Sequence, residues 1–344
     1  MTPLLDVRNV SKTFTIAGGL FDRARGTVRA LDDVSFSVPA GTTVGLVGES
    51  GCGKSTMGHV IMGGLAANAG QIIFDDPKLG LTDLVTADDA TRRQTRLNMQ
   101  MIFQDPNSSL NPRMTLLDLI GEPLVINGVL RGQALEDRVA ELLEQVGLST
   151  RYLRRYPHAL SGGQRQRVVI ARALALNPRL VVADEPISAL DVSIQAQTLN
   201  LMKDLQAERQ LTYLFIAHDL GVVNHFTDTT VVMYLGRVVE TGRTAQIFSR
   251  PKHPYSEALI AAVPRIGATR GHRQKPAVGE VPSAMNPPKG CHFHPRCAYA
   301  TDLCRAEVPA LRPVGEGRFA RCHFADTLSL AGMEGALPTS QATA

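Results

Sequence analysis

Between an apolar run, Thr43 to Val47, and a helix predicted to start near Lys54 lies the stretch Gly48-Glu49-Ser50-Gly51-Cys52-Gly53-Lys54-Ser55-Thr56. It meets the phosphate-binding pattern G-x-x-x-x-G-K-[ST] at every fixed position, and the flanking strand and helix supply the context that the pattern needs. Glycines at 48, 51 and 53 let the backbone turn tightly and aim several N–H groups into one concavity. The helix N-terminus adds roughly half a positive charge there, so the concavity suits a polyphosphate. Lys54 is placed to reach the β- and γ-phosphates, and the Ser55 hydroxyl to complete the coordination of Mg²⁺, a cation that prefers hard oxygen ligands. A Gly-rich turn that binds nothing is the bland alternative, and the complete pattern weighs against it. Cys52 reads as a small variable residue facing the phosphates.

Along the rest of the chain, residues 4–10 and 34–38 alternate apolar and polar positions as strands do, with an exposed insertion expected over 17–30. Phe14 precedes the insertion and can either stack on an adenine ring or pack in the core. A helix over 54–65 and a strand over 71–74 follow, and from about 88 to 178 the pattern turns helical. Leu135, Val139, Leu142, Leu143 and Val146 recur at helical spacing, and Gly147 stops the run. Gln104, at the end of the apolar Met101-Ile102-Phe103, is by itself an ordinary surface glutamine. Ser161 is placed as the N-cap of an amphipathic run to Leu176, with Gly162, Gly163 and Gln164 in its leading turn. The apolar strand Leu180–Ala183 ends in Asp184 and Glu185, whose side chains point to different sides and can serve different roles. Asp184 is suited to Mg²⁺ and Glu185 to orienting an attacking water. Asp191 precedes a helix to about Arg209, and the strand Thr212–Ala217 leads into His218, which can reach a γ-phosphate at the same rim. A hairpin around Gly236 and a helix over 254–263 close this part.

With 344 residues, 44% of them hydrophobic, the chain can bury a substantial core. A net charge of +4, with basic and acidic residues interspersed, does not imply a nucleic-acid partner, and none is expected. No apolar run approaches the roughly 18 residues that span a bilayer, and Asp6 and Arg8 interrupt the start, so retention in the cytoplasm is expected. Four of the five cysteines crowd into 291–322, and in a reducing compartment such a cluster suggests metal more than disulfides. Four thiolates can saturate a tetrahedral Zn²⁺ or a [4Fe–4S] cluster, although the paired C-x-x-C knuckles usual for zinc are missing.

Taken together, Gly48–Ser55, Gln104, Leu160–Gln164, Leu180–Glu185, Ser188–Asp191 and His218 make residues 4–265 resemble the ATPase subunit of an ABC transporter. The resemblance implies an α/β P-loop core with an antiparallel β subdomain and an inserted helical subdomain. The ATPase domain would span 1–265, with the helical subdomain at 88–178, followed by a linker and small cysteine-rich extension at 266–330 and a flexible tail at 331–344. It implies that two ATPase subunits dimerise head to tail, so that Ser161, Gly162, Gly163 and Gln164 act on the partner's nucleotide. Gln104 would help hold Mg²⁺ and sense the γ-phosphate, Glu185 would be the catalytic carboxylate, His218 would contact the γ-phosphate and Asp191 would link the two sites. Phe14 stands where many members have tyrosine, and Ile187 where threonine or valine is usual.

Within that family, Tyr156-Pro157-His158, Val192–Gln197, His253-Pro254-Tyr255 and Asn286-Pro287-Pro288 resemble the dipeptide/oligopeptide importers, and nickel importers share much of the pattern. A heterodimer with a second ATPase subunit, two transmembrane permease subunits and an extracytoplasmic solute-binding protein are the implied partners, on the cytoplasmic face of the membrane. The tail resembles the extension of peptide-importer ATPases in which cysteines such as Cys291, Cys297, Cys304 and Cys322 carry a [4Fe–4S] cluster, Zn²⁺ being the alternative. A soluble mechanical ATPase is disfavoured by the single cassette and the lack of a long coiled-coil insertion. A metal or redox sensor would rest on the cysteines alone.

Overall fold

The computed structural model describes residues 2–16, 26–263, 279–315 and 317–333. In chain order it contains β1 (Leu5–Ile16), β2 (Gly26–Val38), β3 (Thr43–Val47), α1 (Lys54–Ile61), β4 (Ala69–Asp76), β5 (Gly80–Asp83), α2 (Asp89–Arg96), β6 (Met99–Ile102), α3 (Pro106–Ser109), α4 (Leu116–Ile126), α5 (Gly132–Gln145) and α6 (Gly162–Leu174). There follow β7 (Leu180–Asp184), α7 (Val192–Arg209), β8 (Thr212–Ala217), α8 (Leu220–Phe226), β9 (Thr229–Tyr234), β10 (Arg237–Arg243), α9 (Thr244–Ser249), α10 (Pro254–Ala261), α11 (Asp302–Ala306), β11 (Arg312–Pro313) and β12 (Phe319–Ala320).

Two sheets organise these elements. An antiparallel sheet runs β2-β1-β4-β5, and an eight-stranded sheet runs β11-β12-β10-β9-β3-β8-β7-β6. Strands β9, β3, β8, β7 and β6 are parallel neighbours, and their apolar runs are buried on both faces. Val44, Leu46, Leu180, Val182, Leu214 and Ile216 pack toward α1 and the antiparallel sheet. The alternate residues Val47, Val181, Ala183, Tyr213 and Phe215 pack toward α4, α5, α6 and α7. Helix α1, which carries Lys54, is therefore enclosed between two sheets, and Met57, Val60 and Ile61 are buried there.

Several local expectations change. The hairpin β1–β2 extends to Ile16 and Gly26, with Phe14 opposite Val28, so 26–30 is strand rather than insertion, and 17–25 lie outside the described residues. Cross-strand pairing outweighs the local Gly signal at 26. Helix α1 ends at Ile61 instead of 65, because Gly63 at φ 68° turns the chain out of the helix. The helical block from 88 is interrupted by β6, which pairs with β7 at the edge of the central sheet.

Residues 264–278 and 334–344 lie outside the described part, and the described part of the tail packs back onto the central sheet. Strand β12 pairs with β10, Glu240 opposite Ala320, and so extends the central sheet. Arg321 donates to Val238 O at 3.0 Å and to Asp33 Oδ2 at 3.0 Å, tying the tail to both sheets.

Candidate functional site

Because β3, β8, β7 and β6 are parallel neighbours, their C-terminal ends share one rim, with Val47 beside Ala217, Ile216 beside Asp184 and Ala183 beside Ile102. The loops that leave this rim carry the phosphate loop, His218, Glu185 and Gln104. Residues far apart in sequence converge there because a parallel sheet directs all its strand ends to one side.

In the phosphate loop, Gly48 has φ 153° and Gly53 φ 107°; a Cβ on Gly48 would stand 2.2 Å from Met233 O, and one on Gly53 2.3 Å from Ala30 O. Only glycine fits either position. The Lys54 ammonium is buried in the loop, donating to Gly48 O at 2.8 Å and Glu49 O at 3.1 Å. Ser50 and Gly51 form the exposed tip, and Thr56 is half-buried on α1. Cys52 is buried with its Sγ 3.9 Å from Lys54 Nζ, in the same apolar cluster as Leu31, Met57 and Met233, and burial pushes its pKa up.

Ser55 Oγ donates to Asp184 Oδ1 at 3.1 Å, the pair of oxygens predicted to face Mg²⁺. Burial raises the Asp184 carboxyl pKa; the Ser55 hydrogen bond opposes the shift and the neighbouring Glu185 charge adds to it. Glu185 sits at φ 47°, an uncommon conformation for a residue with a side chain, held by its N–H to Ile216 O at 2.9 Å. Gln104 Nε2 donates to Glu185 Oε2 at 3.0 Å, and His218 Nδ1 lies 3.1 Å from the same oxygen. Glu185 Oε1 has no such side-chain donor among the described residues.

The segment Ser161–Gln164 is not brought to this cluster. Ser161 Oγ accepts from Gln164 N–H and Gln164 Oε1 accepts from Ser161 N–H, a capping box that opens α6. Gly163 packs against Ile194 of α7, while Ser161 and Gly162 are exposed. Asp191 caps α7 by position only, with its exposed carboxylate forming no cap hydrogen bond. Phe14 is not a core residue; it stands on the exposed side of β1 with Lys12 Nζ 5.2 Å from its ring centre.

The ABC transporter family model matches residues 31–188, and the model of the oligopeptide/dipeptide transporter C-terminal region matches 239–304. An oligopeptide transport ATP-binding protein of Bacillus subtilis (AppF) is 47% identical over 324 residues, 93% of this chain and 97% of that protein. The chain belongs to the ABC transporter family of ATP-binding proteins. A dipeptide transport ATP-binding protein of Haemophilus influenzae (DppF) is 45% identical over 94% of this ABC protein and 98% of its own length. A dimeric ATP-binding cassette solved in a post-hydrolysis state with ADP and Pi is 30% identical, with a TM-score of 0.60, covering 70% of this chain and 98% of the other.

Beyond the ATP-binding cassette, Cys291, Cys297, Cys304 and Cys322 of this ABC protein are free thiols that line one cavity with His253, Phe293 and His294. Burial pushes the Cys297 thiol up to about 12 and that of Cys322 up to about 11. Among the described residues no three His, Cys, Asp or Glu side chains converge as a single metal ion requires.

Sequence reasoning missed two residues at the phosphate loop. Tyr255 Oη accepts from Glu49 N–H at 2.8 Å, and Arg296 grips the Glu49 carboxylate with both terminal nitrogens, at 2.7 and 2.9 Å. The partners are separated by 206 and 247 positions, so no local pattern announces them.

Proposed function

We propose that this protein is the ATP-hydrolysing subunit of an ABC importer and couples ATP binding and hydrolysis to uptake of di- or oligopeptides across the cytoplasmic membrane. The observation that carries the reading is the Glu185 carboxylate, whose Oε2 is held by Gln104 and His218 beside the Ser55–Asp184 pair. That hold leaves Oε1 to orient a water for in-line attack on the γ-phosphate, with Lys54 and the loop N–H groups taking up the developing charge. His218 and Gln104 fix the carboxylate, and both would meet the γ-phosphate. Ser55, Asp184 and Gln104 are the residues that would hold Mg²⁺, an ion that neutralises charge on the β- and γ-oxygens.

A second ATPase subunit, in a heterodimer, would supply the other wall of the site. Supporting this are the exposed Ser161 and Gly162, the uncapping Asp191 carboxylate and the neighbouring Val192, which is 82% exposed. Two permease subunits and a solute-binding protein complete the assembly, which puts this chain on the cytoplasmic face of the membrane. Peptide over nickel as cargo is favoured by the relatives named for peptide transport.

Cys291, Cys297, Cys304 and Cys322 would hold a [4Fe–4S] cluster. What supports the reading is that the four thiols line one cavity and that four thiolates can saturate such a cluster, Zn²⁺ being the alternative.

The test is Glu185→Gln in the assembled transporter. ATP binding is retained, turnover falls by about 10²-fold or more, and a closed, nucleotide-bound dimer accumulates. Full ATPase activity in that variant removes Glu185 from the catalytic role.

A further inference from the structure

The Gly48–Glu49 peptide is pinned at both ends: its carbonyl accepts from Lys54 Nζ at 2.8 Å and its N–H donates to Tyr255 Oη at 2.8 Å. The Glu49 carboxylate is held by Arg296, whose side chain is only 7% exposed. Arg296 is itself held, 5.9 Å from the ring centres of Tyr234 and Phe293. Its N–H bonds Phe293 O at 3.0 Å, inside a turn where His294 N–H bonds Cys291 O at 3.0 Å and Cys291 N–H bonds Cys304 O at 2.8 Å. The loop that receives phosphate is thus fastened to the segment between Cys291 and Cys297.

We propose that Arg296 is a positioning residue for nucleotide binding, fixing Glu49 so that the Gly48–Glu49 peptide and Lys54 stand ready for the phosphates and the Glu49 charge stays paired. The inference rests on reading the phosphate loop as the ATP site. Two effects follow from losing the fork. The loop must be ordered when nucleotide arrives rather than beforehand, and a freed carboxylate stands beside a polyanion. Both weaken binding without touching the chemical step. The cysteine module, on this reading, is built into the nucleotide site.

The experiment measures the Kd of trinitrophenyl-ATP and the KM and kcat for ATP in the assembled transporter. Arg296→Gln is expected to raise Kd and KM about tenfold while kcat changes less than about twofold. Adding Glu49→Gln to that variant removes the freed charge and recovers about threefold of the affinity, a coupling that a merely structural role for Arg296 does not produce. Arg296→Lys, which keeps the charge but loses the fork, raises Kd about threefold, and it carries the test if Arg296→Gln does not fold. The proposal is overturned by Arg296→Gln or Arg296→Lys binding as tightly as the parent, by no recovery in the double variant, or by a fall in kcat at unchanged KM. A parent protein that fails to bind the analogue at all would instead defeat the reading of the loop as an ATP site.

Discussion

Arg318→Met isolates what docks the tail onto the cassette. Glu240, with a fully buried side chain, accepts from Lys252 N–H at 2.9 Å, His253 N–H at 3.0 Å and Arg318 Nη2 at 2.5 Å; that same nitrogen reaches Arg250 O. Methionine keeps much of the volume but leaves a buried carboxylate without its cation, which costs about 3–5 kcal/mol. For a folded unit of this size, at about 2 °C per kcal/mol, that is a fall of about 6–10 °C in Tm. The sign of the pH dependence follows from Glu240. Burial raises its carboxyl pKa and the Arg318 charge opposes the shift, so removing Arg318 raises the pKa further. An acid whose pKa is higher folded than unfolded contributes stability at low pH that is lost as pH rises through the folded value. The deficit of Arg318→Met should therefore be larger at about pH 8 than at about pH 5. Glu240→Gln combined with Arg318→Met leaves no unpaired charge and should restore most of the stability. Calorimetric melts of the parent, Arg318→Met and the double variant decide it. An Arg318→Met melt within about 2 °C of the parent, or a deficit independent of pH, refutes the reasoning.

Ser161→Ala removes the Oγ half of the capping box and is expected to destabilise α6 by about 1 kcal/mol, measured by denaturant melts. On the proposed head-to-tail arrangement, the same variant should lower ATP hydrolysis in the assembled pair more than nucleotide binding to the isolated chain; equal losses in the two assays count against that geometry. Protein isolated anaerobically with its membrane partners is expected to carry iron and acid-labile sulfide, assayed together with zinc. Loss of both in Cys304→Ser supports the four-cysteine site, and a parent protein without iron or sulfide overturns the cluster.

The sequence by itself determined the elements whose cause is local. The glycines, Lys54 and Ser55, between an apolar strand and a helix, specify a phosphate-binding turn, and the N-cap Ser161 was visible because a cap acts within one turn of its helix. The apolar runs at 180–183 and 212–217 declared strands, and their ends announced Asp184, Glu185 and His218. Tertiary structure alone decided which strands are neighbours. It joined the short run Met99–Ile102 to β7 and so brought Gln104 within 3.0 Å of Glu185. It buried Cys52, made β12 an edge of the central sheet, and set Arg296 on Glu49. Side-chain alternation and loop chemistry act over a few residues, whereas burial and charge pairing act between surfaces that only the folded chain brings together.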